Sequence, residues 1–405
     1  MDIALIHTIG LLGVAVLVAI AARRLSLPYT VGLVLTGVGL ALMRLETGEM
    51  LTHDFIFDVV LPPLLFEAAI NIHWRPLSRD LLPVLTLSTL GVVVSAALVA
   101  AGMVLLLSWP IMSALVFGVL IAATDPIAVI ALFKDVGVAG RLRLLVESES
   151  LFNDGVAAVL FGLTLTWMQL PEGASLSATM VALTLAKAAG GGILVGIMCG
   201  IVAIAIAGRS SDHLVETALT AVAAYGSFLL AESFHLSGVL ATVSSGLLMG
   251  NLGVLVEDKG RIALSSQGRE FVVAFWEFAA FIANSLVFLL IGLRLASIAF
   301  ADVGRAIVPI AVLLVLAGRA AAVYLLCLPF ARSRWAIPMQ DQHVLWWGGL
   351  RGALALALAL ALPASLPFNN PILVATFGVV AFSVIVQGLT TPMLVKRLSA
   401  STKSV

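Results

Sequence analysis

The 405-residue chain is short of charge: Asp, Glu, Lys and Arg make up 11% of it, against about 25% in soluble domains. Hydrophobic residues supply 61%, and the mean hydropathy is +1.15. A water-soluble fold cannot hide that much apolar surface, so the composition excludes one and points to a single polytopic membrane unit. Excess charge of either sign is also missing. The 22 basic and 22 acidic residues cancel, which leaves no basic surplus for a nucleic-acid partner. Cysteine is nearly absent. Cys199 and Cys327 lie in apolar runs without metal-ligand spacing and are read as small core residues. None of the six histidines forms HExxH, and no GxGD occurs, so the membrane protease readings lack their chemistry. No enzyme activity and no cofactor is expected. The opening "MDIALIHTIG" has no basic n-region, so a cleaved signal is not expected and the first apolar run is taken as retained.

What the chain does have is apolar runs. A helix needs about 20 apolar residues to span a bilayer, and on that basis about thirteen spans are expected. Their limits are near 3–22, 29–43, 54–72, 81–108, 111–133, 144–169, 177–207, 213–233, 236–252, 270–293, 305–330, 341–362 and 371–395. The fold class is therefore all-α, with short loops and a short tail over 396–405. Basic residues test the count, because cytoplasmic segments carry an excess of them. With the N-terminus outside, 16 basic residues, from Arg23 and Arg24 to Lys396, Arg397 and Lys403, fall inside. Only Arg44, Arg294 and Arg305 fall outside. A multi-pass protein of the cell (inner) membrane, with its C-terminus in the cytoplasm, follows as the expectation.

Lys187, Arg319 and Arg351 remain, all within expected spans, together with several acids. An ionisable group at bilayer depth is costly and usually functional. In "SALVFGVLIAATDPIAVIALF", Pro126 lacks an N–H and disfavours helix at Asp125, so a break is expected near Thr124 and Asp125. "GGLRGALALALAL" sets three glycines around Arg351 in the later half of the chain. Paired interruptions of this kind point to inverted repeats with the site at their crossing. In "ESESLFNDGVAAVL", Ser150 and Asp154 are i and i+4 on one helix face, and Glu149 and Asn153 form a second such pair. A hard monovalent cation takes oxygen ligands, which Asp154, Ser150 and a freed Thr124 carbonyl offer. Glu149, on the other edge, is expected to neutralise a buried arginine, with Arg351 as its candidate. Arg319 is expected to pair with an acid of the same region. Glu67, in "PPLLFEAAINIHW", is read as a further oxygen ligand or a gate, the alternative being an acid snorkelling at a helix end.

"LPPLLFEAAIN", "ATDPIAV", "ESLFNDG" and "GGLRGALAL", in this order and spacing, resemble the monovalent cation:proton antiporters. The likeness is to the branch of NhaP-type sodium/proton antiporters and animal sodium/proton exchangers, and covers the whole membrane domain. It implies an inverted-repeat antiporter fold with two crossed discontinuous helices, working as a homodimer among membrane lipids. It also implies a dimerisation part over about 1–72 and 213–293, a six-helix core over about 81–169 and 305–395, and a linking helix over about 177–207. By the same resemblance Asp154 carries the ion or the proton, next to Asn153. Ser150, Glu67 and the Thr124 carbonyl are the matching sodium ligands, Asp125 lies in the unwound stretch, and Glu149 and Arg351 match a structural ion pair. An Asn-Asp pair is associated in the family with electroneutral exchange. The expected activity is exchange of a monovalent cation, sodium first and lithium or potassium next, for a proton. The alternatives are a cation channel, for which no filter or charged-ring motif is seen, and a non-transporting scaffold.

Overall fold

The structure is a computed structural model that describes residues 3–25, 27–43, 52–125, 130, 133, 140–168, 177–210, 212–255, 264–298, 306–363 and 366–402. Pro126, Arg44, Lys134, Lys259, Arg261, Arg305 and Lys403, on which the break and the topology lean, lie outside the described residues, as does most of the stretch after Asp125 in the span expected over 111–133.

Every regular element among the described residues is helical. In chain order these are α1 (Ile3–Leu25), α2 (Tyr29–Leu42), α3 (Leu61–Ile70, entered through a π-helical turn Phe55–Val60), α4 (Trp74–Leu107) and α5 (Ile111–Leu120). Then come α6 (Arg141–Met168), α7 (Ala178–Ala207), α8 (His213–Ser233), α9 (Gly238–Met249, running on into a π-helical turn Gly250–Val254) and α10 (Ser266–Ser297). Last come α11 (Ile307–Cys327), α12 (Met339–Trp347), α13 (Ala353–Leu360) and α14, which runs Asn369–Phe382, Ser383–Gln387 as a π turn, and Gly388–Thr402. Seven of these helices are long and apolar enough to cross a membrane, and α2, α5, α9 and part of α1 are shorter apolar helices. The thirteen expected spans thus meet seven long ones plus shorter or broken helices. One break is plain: the span expected over 341–362 is two helices, α12 and α13, separated at Gly348–Gly352.

Local chemistry sets the helix ends. Pro110 and Pro338, with φ near −56°, stand immediately before α5 and α12, where a missing N–H costs no helical bond. Ser177, Asp212 and Ser237 cap α7, α8 and α9 by accepting from the N–H groups of Met180, Leu214 and Leu240. Gly140, at φ +80°, provides the left-handed turn from which α6 starts.

The chain forms two compact units. One comprises Met1–Ile56, Leu82–Asn153 and Asn284–Val405, the other Phe57–Leu81 and Asp154–Ala283. In the second unit, Phe66, Ile70, Ala203, Ala224, Met249 and Trp276 form a buried cluster. Trp276 packs on Phe66 with tilted rings 4.6 Å apart and donates its indole N–H to Thr220 Oγ1 at 2.8 Å. The outer face of α7 carries Leu183, Leu194, Met198 and Val202, all exposed. A face like that suits hydrocarbon and not water.

Between helices in lipid, burial from water is not the driving force, and close van der Waals packing takes over. On α7, Gly192, Gly196 and Gly200 repeat every four residues along one edge, against α9. A Cβ at Gly196 would run into the Ala241 carbonyl, which is backbone and cannot step aside. Gly196→Leu is therefore expected to force α7 and α9 apart. Overpacking of this kind costs about 1–3 kcal/mol or more, seen as a lower unfolding temperature in detergent. An unchanged melting temperature would show that the two helices do not need this approach.

Candidate ion-binding site

In the first unit, the Arg141–Asn153 part of the long helix α6 stands with two stretches of unwound chain. α5 stops at Leu120, and Ala122 to Asp125 continue as non-helical backbone. The α12–α13 break at Gly348–Gly352 gives a second such stretch. The two stretches bond to each other: the Asp125 N–H donates to the Leu350 carbonyl at 2.7 Å. Arg351 Nη1 donates to the carbonyls of Ala122 and Ala123 at 2.6 and 2.9 Å. Unwinding takes helical partners from these carbonyls, and in an apolar interior such groups must be satisfied by the protein itself. The guanidinium does this. Gly352 lies so close to the Asp125 carboxyl group that a Cβ there would collide with it. Gly352 thus permits this close approach.

The continuous helix α6 brings Ser150 and Asn153 to the first of these stretches. Thr124, Glu149, Ser150, Asn153 and Asp154 are all buried. Thr124 Oγ1 donates to Ser150 Oγ at 3.1 Å, and Asn153 Nδ2 donates to Thr124 Oγ1 at 3.3 Å and to Glu149 Oε1 at 3.4 Å. Asn153 Oδ1 is buried and accepts no hydrogen bond among the described residues. Asp154 follows on the same helix, one turn beyond Ser150 and on the same face.

Glu149 corrects the sequence expectation. Its partner is Arg319 on α11, not Arg351. Arg319 Nη1 and Nη2 donate to the two carboxylate oxygens, each at 2.7 Å, in a bidentate fork. The guanidinium also donates to the Leu345 carbonyl through Nε and Nη2, at 3.3 and 3.0 Å. The reason is the backbone. Arg351 sits in unwound chain, where its side chain has bare carbonyls within reach, whereas Arg319 projects from a regular helix onto the Glu149 edge of α6. Arg319, expected to pair with some acid of this region, does pair with one.

Residues 12–397 match the family described as sodium/hydrogen exchanger, transmembrane. The chain belongs to this family. It is a multi-pass membrane transport protein and not an enzyme. Among its relatives is the Na(+)/H(+) antiporter ApNhaP of Aphanothece halophytica, 41% identical over 389 residues, covering 96% of this chain and 73% of that one. The Na(+)/H(+) antiporter NhaH of Halobacillus dabanensis is 35% identical over 408 residues, covering 97% of each chain. Of solved structures, the sodium proton antiporter MjNhaP1 from Methanocaldococcus jannaschii superposes with a TM-score of 0.75 at 21% identity, covering 98% of this chain and 99% of that one. That likeness establishes the all-helical fold of this exchanger.

Of the residues expected at the site, the first unit gathers Thr124, Asp125, Glu149, Ser150, Asn153, Arg319 and Arg351, while Asp154, the next residue of α6, opens a segment of the second unit. Glu67 belongs to the second unit, half-buried on α3. Asn71, one turn on, donates to its Oε1 at 3.1 Å and to its carbonyl at 2.9 Å. Two polar residues here were missed from sequence: Ser383, whose Oγ accepts the Arg351 N–H at 2.8 Å, and Gln387. Their signal was readable as a Ser and a Gln four apart inside the apolar run "AFSVIVQGLT".

Proposed function

We propose that this protein is a sodium/proton antiporter in which Asp154 binds either a proton or a sodium ion, never both, and that exchange is electroneutral at one for one. The observation that carries the reading is the polar side of α6: Ser150 and Asp154 one turn apart on one face and Asn153 on the adjoining edge, with Thr124 of the unwound stretch bonded to Ser150 and Asn153. The names of relatives such as ApNhaP and NhaH support the sodium/proton pair.

Each residue then has a role. Asp154 supplies the exchangeable charge. Ser150 and the Thr124 carbonyl are neutral oxygens for a hard cation, and Asn153 Oδ1 is a further acceptor held in place by the bonds its own amide makes. Asp125 lies in the unwound stretch that shapes the site. Glu67 is carried as an added sodium ligand by the family resemblance alone. Glu149 and Arg319 hold the site without carrying ions. Asn153 decides the stoichiometry, because a neutral amide leaves one titrating carboxylate. One proton leaves for each cation bound, so the carrier crosses with the same charge in both directions.

The working protein is proposed to be a homodimer in the cell membrane, N-terminus outside. Its core over about 81–169 and 305–395 would move against the dimerisation part over about 1–72 and 213–293. Electroneutrality is tested in proteoliposomes whose membrane potential is set with potassium and valinomycin. The sodium-driven proton flux is expected to be the same at zero and at strongly negative potential. A rate that climbs with potential, or a sodium-dependent current, would overturn the one-for-one reading.

A further inference from the structure

α14 is apolar through most of its middle, but Ser383 and Gln387 fall there, 0% and 4% exposed. They bound a π-helical turn, Ser383–Gln387, and such insertions are frequent at functional sites. The turn places both side chains on the α12–α13 break. Ser383 Oγ accepts the Arg351 N–H at 2.8 Å and donates to Gln387 Oε1 at 2.7 Å. Gln387 Nε2 donates to the carbonyl of Trp347, the last residue of α12, at 2.9 Å. Trp347 returns the contact through its indole N–H, which donates to Thr390 Oγ1 at 2.8 Å.

Both ends of the unwound stretch are thus tied to one side chain. Its near end hangs on Gln387 directly, and its far end hangs on Gln387 through Ser383. From the far end the chain of bonds continues. Arg351 holds the Ala122 and Ala123 carbonyls, and the next residue is Thr124, whose hydroxyl meets Ser150 and Asn153. A glutamine amide suits this place because it has an acceptor and a donor at a fixed separation, one for the Ser383 hydroxyl and one for the Trp347 carbonyl.

We propose that Gln387, with Ser383, is a positioning residue for the cation site: it fixes the α12–α13 break and, through Arg351, sets where Thr124 offers its oxygens. The inference rests on the antiport reading above. Gln387 touches no ion itself. Its effect is on how well the site fits a cation, since ligand geometry decides the affinity of a hard ion.

Gln387→Leu keeps the bulk and removes both hydrogen-bonding functions. Ser383→Ala removes a single oxygen and carries the test if the first variant does not fold. Each is compared with the wild type in proteoliposomes across a range of sodium and lithium concentrations. The apparent KM for sodium is expected to rise by roughly tenfold or more, the range seen when partners that orient metal ligands are lost, while the rate at saturating cation persists. The lithium-to-sodium preference is expected to shift with it. A role in folding alone would lower the melting temperature and the amount of active protein and leave KM and preference unmoved, which would overturn the proposal. A wild type without cation-coupled proton flux would overturn the antiport reading and this inference with it.

Discussion

Asp154→Asn is expected to reduce cation-dependent proton flux to that of protein-free liposomes, with the protein still folded. The substitution keeps the shape and removes the only exchangeable charge that the mechanism uses. Asn153 beside it cannot take over, being an amide already. The loss should be visible in binding as well as in transport. A ligand present at about 100 times its Kd stabilises a folded protein by about 2.7 kcal/mol, so sodium should raise the melting temperature of the wild type. The variant should melt at the same temperature with sodium or choline. Retained exchange in Asp154→Asn would move the ion to another carboxylate, and a variant that fails to fold would make Asp154 a packing residue first.

Glu149→Gln has the second large effect, on stability. Arg319 is buried and gives both Nη groups to the two Glu149 oxygens. An amide cannot neutralise it. Removing one partner of a buried ion pair costs roughly 3–5 kcal/mol, because the remaining charge stays in a low-dielectric interior. Poor yield and a strongly lowered melting temperature are expected. Replacing Arg319 by Gln in the same chain should recover part of the loss, since the two sites are in contact and their effects should not add. Normal stability of Glu149→Gln, with only transport lost, would reject a structural pair and return Glu149 to the ion path.

These two acids show how far the sequence could be read. Asp154 and Ser150 share a face because α6 is one uninterrupted helix, Arg141–Met168, and helical phase can be counted along such a segment. The same holds for α8, whose observed limits, His213–Ser233, are those expected from its apolar run. The partner of Glu149 was not open to this kind of counting. Two interior arginines were available, and the choice between them depends on where each backbone goes. Arg319 lies on a regular helix, but Arg351 lies where the helix has unwound, and there the periodic rule fixes no direction for its side chain. Glycines betrayed the α12–α13 break, and the Asp-Pro step betrayed the unwinding after α5. They did not say that Arg351 would turn to the carbonyls freed by the other break.

Two of the π turns were out of reach for a similar reason. Neither Phe55–Val60 nor Ser383–Gln387 has a composition that sets it apart from an ordinary helical turn. One extra residue in a turn changes the phase of everything after it. Ser383 and Gln387 were thus visible as polar residues in an apolar run but could not be aimed at the break from sequence alone.

The central claim is that one carboxylate exchanges a cation for a proton, and it is tested most directly in liposomes of purified protein with an inside-acid pH gradient. Sodium, lithium, potassium or choline is added outside, and the internal pH is followed. The account predicts that sodium alkalinises the interior, that choline does not, and that a proton ionophore removes the gradient on which the signal depends. No cation-dependent change in internal pH, from mildly acid to alkaline conditions and with protein shown to be folded, would contradict it.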